Sequence, residues 1–205
     1  MQRNIALTVV LLAAASLTAP RARADATFTA SLSGANEIPP VASPATGSAT
    51  VTLTGNILTV DVFFSGLTAP PAAALLQFAP AGKNGPAVVF LTSFPSTTSG
   101  SYTAGNTFDL TLTGTYAGSF VTVYGGGTAA GAETALLADM FAGNTYIDIH
   151  DANFPGGEIR GQLSETQNNA TPEPGTILLF GTGLLGMLGA ARRKWLSQPV
   201  PPPAP

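Results

Sequence analysis

Apolar and polar residues alternate with period two along much of the chain, and each run ends at Gly, Pro or Asn. Short β-strands with one buried face give this pattern. Thr27 to Ser33 sets Phe28, Ala30 and Leu32 on one face, and Pro39 and Pro40 force an extended loop after Gly34. Gly47 to Thr54 alternates Ala49, Val51 and Leu53. Gly55-Asn56 makes a two-residue hairpin turn, and Ile57 to Ser65 returns with Leu58, Val60, Val62 and Phe64 aligned. Gly66 to Pro71 closes this meander. Ala72 to Phe78 and Ala87 to Leu91 predict two more strands around the turn Ala79 to Pro86.

Ser93 to Asn106 reads as a polar loop with a short edge strand at Ser101 to Thr103. Thr107 to Thr115 alternates Phe108, Leu110 and Leu112 against Asp109, Thr111 and Thr113, and Phe120 to Tyr124 predicts a further strand. The glycines 125–127 lack the Lys and Ser/Thr of a phosphate loop and read as a turn. The period changes once. Leu136, Leu137, Met140 and Phe141 lie on one side of a helix over Ala132 to Ala142, and Gly143 supplies its stop. That apolar stripe reads as core.

The pattern closes on a polar hairpin, Tyr146 to Leu163. Tyr146, Asp148 and His150 point one way along its first strand, and Ile147, Ile149 and Asp151 the other. Asn153, Pro155, Gly156 and Gly157 form the corner. Glu158, Arg160 and Gln162 share one face of the return strand. The expected architecture is all-β, an antiparallel immunoglobulin-like sandwich or barrel with one short helix.

Composition adds an address. Gly and Pro supply 23 and 17 of the 205 residues, and there is no Cys, which excludes disulfides and thiolate metal sites. Arg3, an apolar core from Ile5 to Leu17, and Ala22-Arg23-Ala24 predict a signal helix and cleavage site over residues 1–24. The β domain then spans 25–165 and a linker 166–175. A short apolar transmembrane helix follows over 176–191, and a tail over 192–205 opens with Arg192-Arg193-Lys194 and ends in a proline-rich stretch. Sixteen helical residues reach about 24 Å, short for a span, and the basic cluster keeps the tail cytoplasmic. Between Asp25 and Ala170 ten acids face two bases, Lys83 and Arg160, a net charge of −8. Such a domain is unsuited to nucleic acid, and no nucleic-acid partner is expected.

Three stretches carry a resemblance. The aromatic-led run to His150 followed by Gly156-Gly157-Glu158-Ile159-Arg160-Gly161-Gln162 resembles the closing hairpin of the CHRD family, named after chordin. The strand ending at Ser33-Gly34 before Glu37-Ile38-Pro39-Pro40-Val41 resembles that family's opening. The Gly82-Lys83-Asn84-Gly85-Pro86 turn matches a third family motif. Members commonly carry His-x-His before this turn, but here Leu76, Gln77 and Phe78 stand in that place. Pro172-Glu173-Pro174, the glycine-containing span and Arg192-Arg193-Lys194 resemble a PEP-CTERM sorting signal. That resemblance implies processing by a membrane exosortase. The chain departs from the signal's usual end in extending from Trp195 to Pro205.

The candidate chemistry lies in the hairpin: Asp148, His150, Asp151, Glu158 and Arg160. One His and no Cys fall short of a transition-metal ligand set, so no metal, no cofactor and no catalytic residue is expected. In the preferred reading Glu158 and Arg160, two apart on one strand face, form hydrogen bonds or ion pairs that fix the corner, and His150 caps the turn. Three alternatives stand beside it. They are a Ca²⁺ site of Asp148, Asp151 and Glu158, a hydrolase or metal-dependent enzyme centred on His150, and a membrane-anchored ligand-sequestering module. The expected function is that of a secreted, non-catalytic binding or structural domain. It would be sorted to the bacterial envelope or extracellular polysaccharide matrix, with polysaccharide or a surface protein as partner and the C-terminal helix as at least a transient membrane anchor.

Overall fold

The computed structural model describes residues 25–166. The signal segment, the linker beyond its first residue, the apolar span and the basic and proline-rich tail lie outside the described residues. Among the described residues no helix is long and apolar enough to cross a membrane.

Strands form where the alternation places them: β1 (Ala26–Ser33), β2 (Thr46–Thr54), β3 (Ile57–Ser65), β4 (Pro71–Phe78) and β5 (Ala87–Phe90). Short pieces follow at β6 (Gly100–Tyr102) and β7 (Thr107–Asp109). The chain ends on β8 (Thr145–Asp151), β9 (Ile159–Gln162) and β10 (Ser164–Thr166). Every pairing is antiparallel. The order across the sheet is β5-β4-β8-β9-β1-β2-β3-β6, with β10 also on β1 and β7 also on β3.

This is one curled half-barrel sheet, not the two facing sheets of an immunoglobulin sandwich. The reason is the placement of the last hairpin. β8 pairs with β4, and β9 meets β1 at Arg160 and Ser33, so the two N-terminal blocks join one ladder. The apolar faces of both blocks share a single core: Phe28, Val51, Leu58, Val60, Leu76, Ile147 and Ile149 are all fully buried there.

Two helices, not one, complete that core. Phe120 to Tyr124 is not a strand but part of α1 (Gly118–Val123). Its β-branched residues favour a strand locally, but a helical turn buries Phe120 and Val121 together. Tyr124 stacks on Phe120 at 5.3 Å and meets Phe78 edge-on at 4.6 Å. Thr122 donates its hydroxyl back to the Gly118 and Ser119 carbonyls. The strand expected over Thr107 to Thr115 stops at Asp109. There the carboxylate accepts from the Thr111 N–H at 2.9 Å and the Thr111 hydroxyl at 2.6 Å, which turns the chain.

The expected helix is α2 (Ala129–Phe141), which puts Leu136, Leu137 and Met140 into the core. It begins earlier than its apolar stripe because the Thr128 hydroxyl accepts from the Gly131 N–H at 3.0 Å, an N-cap. Gly143, at φ +72°, ends it as expected.

Candidate functional site

The two faces of β8 lead different lives. Ile147 and Ile149 enter the core, while Tyr146, Asp148 and His150 face the other side of the sheet. There Asp148 lies opposite Arg160, and Tyr146 opposite Gln162. Alternation would leave this face in water, yet Tyr146, Asp148 and Arg160 are only 1%, 3% and 2% exposed. Two loops bring this about. One follows β1 and carries Glu37, itself 3% exposed; the other is the turn between β4 and β5.

Arg160 is the tie between hairpin and turn. Its guanidinium donates to Asn84 Oδ1 at 2.9 Å, to the Lys83 carbonyl at 2.8 Å and to Gln162 Oε1 at 3.3 Å. It also lies 3.4 Å from the centre of the Tyr146 ring, a cation–π stack. The Tyr146 hydroxyl accepts from the Gly85 N–H at 3.0 Å, and burial raises its pKa. Asn84 in turn donates to the Ile38 carbonyl at 2.7 Å, locking the two loops together. The Asn36 amide donates to the carbonyls of Ser31 and Arg160, joining β1 to β9.

Beside this tie lies a triad of titratable groups. The Glu37 and Asp148 carboxyls converge beside Gly157, and His150 Nε2 lies 3.3 Å from Asp148 Oδ2. His150 Nδ1 meets the Pro155 carbonyl at 2.9 Å, so the imidazole bridges strand and corner. Burial, then the Asp148 charge and hydrogen bond, push Glu37 up to about 8. Burial pulls His150 down, but the adjoining Asp148 carboxylate outweighs it, and its pKa is raised. Glu37 Oε1, Asp148 Oδ1 and His150 Nε2 are buried without a hydrogen-bond partner.

Gly157 permits the approach. At φ +124°, a Cβ there would lie 2.6 Å from Asp148 Oδ1 and 2.7 Å from Glu37 Oε2.

Asp151 and Glu158 form a second group, apart from the first. Glu158 Oε1 accepts from the Ser43 hydroxyl at 2.6 Å and the Thr68 N–H at 2.9 Å. Asp151 accepts from Phe154 N–H at 2.6 Å, Ala69 N–H at 2.8 Å and the Thr68 hydroxyl at 2.9 Å. Glu158 and Arg160 thus each make hydrogen bonds at the corner, but with separate partners and not with each other. β9 begins at Ile159, so Glu158 leaves the alternation and turns toward Thr68 while Arg160 turns toward Lys83. The carboxylates proposed for Ca²⁺ likewise divide, Asp148 in one group and Asp151 and Glu158 in the other. Among the described residues no group of three or more His, Cys, Asp or Glu side chains is arranged to hold a metal ion.

Sequence reasoning placed the hairpin residues and missed their partners: Glu37, Asn84, Ser43 and Thr68. Glu37 and Asn84 stood in plain view inside the two loop motifs. The CHRD domain model matches residues 28–163, from β1 through the end of the hairpin. The chain belongs to the CHRD family. All three motifs that carried the resemblance meet in this CHRD domain at one place, around Arg160 and Asp148. Where many members carry His-x-His, Leu76 lies fully buried opposite Ile147 in the core, and Ala73 is the residue opposite His150. Positions 76 and 78 thus share the face away from His150.

The PEP-CTERM protein-sorting motif matches residues 170–194, which include Pro172, Glu173, Pro174, Arg192, Arg193 and Lys194. It implies an exported, surface-sorted protein processed by an exosortase. These residues, and the cleavage-site residues Ala22 and Ala24, lie outside the described residues. No curated protein and no solved structure matches this chain.

Proposed function

We propose that this CHRD protein is a non-catalytic module that is delivered to the cell envelope or extracellular matrix and binds polymer or protein there. The observation that carries the reading is how the hairpin's charged groups are used. Arg160, Asp151 and Glu158 each hold two or more groups of the domain's own loops. Groups committed in this way hold a surface in shape. Intact-mass measurement on separate membrane, matrix and medium fractions tests the delivery. A product ending between Pro172 and Gly175 in matrix or medium supports it. A chain running through Pro205 and found only in membranes overturns it.

One observation favours a second reading. Glu37 and Asp148 are neighbouring buried carboxyls with one pKa driven up, the arrangement of a general acid beside a carboxylate. A hydrolase would then centre on Glu37, Asp148 and His150. Turnover of an ester and glycoside panel that disappears in both His150→Ala and Glu37→Gln would establish it; absence of turnover keeps the non-catalytic reading.

A further inference from the structure

A pocket of about 270 Å³ opens between β1, β9 and the β4–β5 turn, lined by Ser31, Asn36, Ala81, Gly82, Arg160 and Gln162. It is small beside the pockets that take drug-sized ligands. Its chemistry is uneven. Gln162 is fully engaged, donating to the Ala79 and Gly143 carbonyls and accepting from Arg160. The Asn36 amide nitrogen donates to two carbonyls, which fixes its orientation and leaves Oδ1 as an unused acceptor. Among the described residues the exposed Ser31 hydroxyl has no hydrogen-bond partner.

Arg160 offers five N–H donors and makes three hydrogen bonds, all to uncharged acceptors, so two donors remain. The domain's other base, Lys83, stands next to Gly82 in the same turn. Both positive charges of a domain with net charge −8 are thus carried by residues at this one pocket or beside it.

We infer that this pocket binds a small hydroxylated carboxylate, a sugar acid in size and chemistry. The carboxylate takes the free N–H groups of Arg160 and the Ser31 hydroxyl, and a ligand hydroxyl donates to Asn36 Oδ1. This gives the binding reading above a place and a ligand class, and it rests on that reading.

The test is calorimetric titration of D-galacturonate into the full-length chain in mild detergent, with D-galactose and inorganic phosphate as controls. Saturable galacturonate binding is expected, with both controls weaker by about tenfold or more, the share of a charge-assisted hydrogen bond. Ala81→Trp fills the pocket from an exposed turn position and abolishes binding at an unchanged melting temperature. Arg160→Lys keeps the charge without the fork and weakens binding by about tenfold. Equal affinity for galactose or phosphate, binding that survives Ala81→Trp, or no binding at all overturns the assignment. None of these outcomes bears on sorting or turnover, which the fractionation and the substrate panel read separately.

Discussion

Glu37 and Asp148 bring carboxyl oxygens to one point beside the α-carbon of Gly157, one from the loop after the first strand and the other from the last hairpin. Two buried acids close together cannot both be ionised at low cost, and Glu37, pushed up to about 8, keeps its proton at neutral pH. The groups facing that proton are His150 and Arg160, each of which lowers the Glu37 pKa, and Tyr146 beneath Arg160.

The held proton fixes the sign of the pH dependence. Glu37 titrates near 4.5 when unfolded and at about 8 when folded, so its contribution is complete below 4.5 and is lost as pH rises through 8. His150 acts in the same direction, since its folded pKa is raised above 6.5. Melting temperature should fall as pH is raised from about 5 to about 9. Glu37→Gln carries the amide in place of the protonated acid and should flatten that slope. A slope unchanged in the variant would mean that the proton lies elsewhere.

Gly157→Ala should cost about 2–4 kcal/mol, because the new methyl group meets both carboxyls and the backbone sits in the left-handed half of φ space. Gly156→Ala is the matched control, with open space around its Cβ and no positive φ. It should change stability by less than about 0.5 kcal/mol. Urea unfolding of the two variants decides the point.

Arg160→Met should cost about 3–5 kcal/mol, since it strands the Lys83 carbonyl and the Asn84 amide and removes the cation facing Asp148. Arg160→Lys should recover less than half of that loss. An ammonium cannot bond Asn84 and Lys83 in one plane while stacking on Tyr146. Equal stability of the Lys variant and the parent chain would show that charge alone holds the turn.

At the second carboxyl group the contrast lies between Ala and Gln. Glu158→Ala leaves the Thr68 N–H and the Ser43 hydroxyl without acceptors and should cost about 2–3 kcal/mol. Glu158→Gln retains one acceptor oxygen, and burial already raises the Glu158 pKa toward the neutral form, so it should cost about 1 kcal/mol or less. Thermal melts at neutral pH separate the two. Asp151, whose pKa is lowered by its hydrogen bonds against the pull of burial, contributes stability that is present above 3.8 and lost as pH falls further.

The strands that could be read directly are those whose alternation matches a buried face: β1 to β5 and the last hairpin. Phe120 to Tyr124 escaped, because Val121-Thr122-Val123 favours a strand locally and only the packing of Phe120 against Phe78 and Tyr116 selects the helix. At the site, Asp148, His150, Asp151, Glu158 and Arg160 stood out as polar residues on a short hairpin. Their division into two groups did not, since it depends on Glu158 leaving the pleat one residue before β9 begins. The partners were less legible still. Arg160 is held by the Lys83 backbone carbonyl and Glu158 by the Thr68 backbone N–H, and no side-chain pattern records a backbone group. The motifs Glu37-Ile-Pro-Pro-Val41 and Gly82-Lys-Asn-Gly-Pro86 were visible as turns; that they are lids on the hairpin required the fold.

The sheet order has a consequence for how the domain is made. The strands synthesised near the end, β8 and β9, sit in its middle, between β4 on one side and β1 on the other. Until they arrive, β1, β2, β3, β6 and β7 pair among themselves and β4 pairs only with β5, with no strand pairing between the two sets. Contacts between distant parts of the sequence must form last and together, which favours slow, concerted closure over stepwise growth. Without that hairpin the sheet has no continuous ladder from one edge to the other.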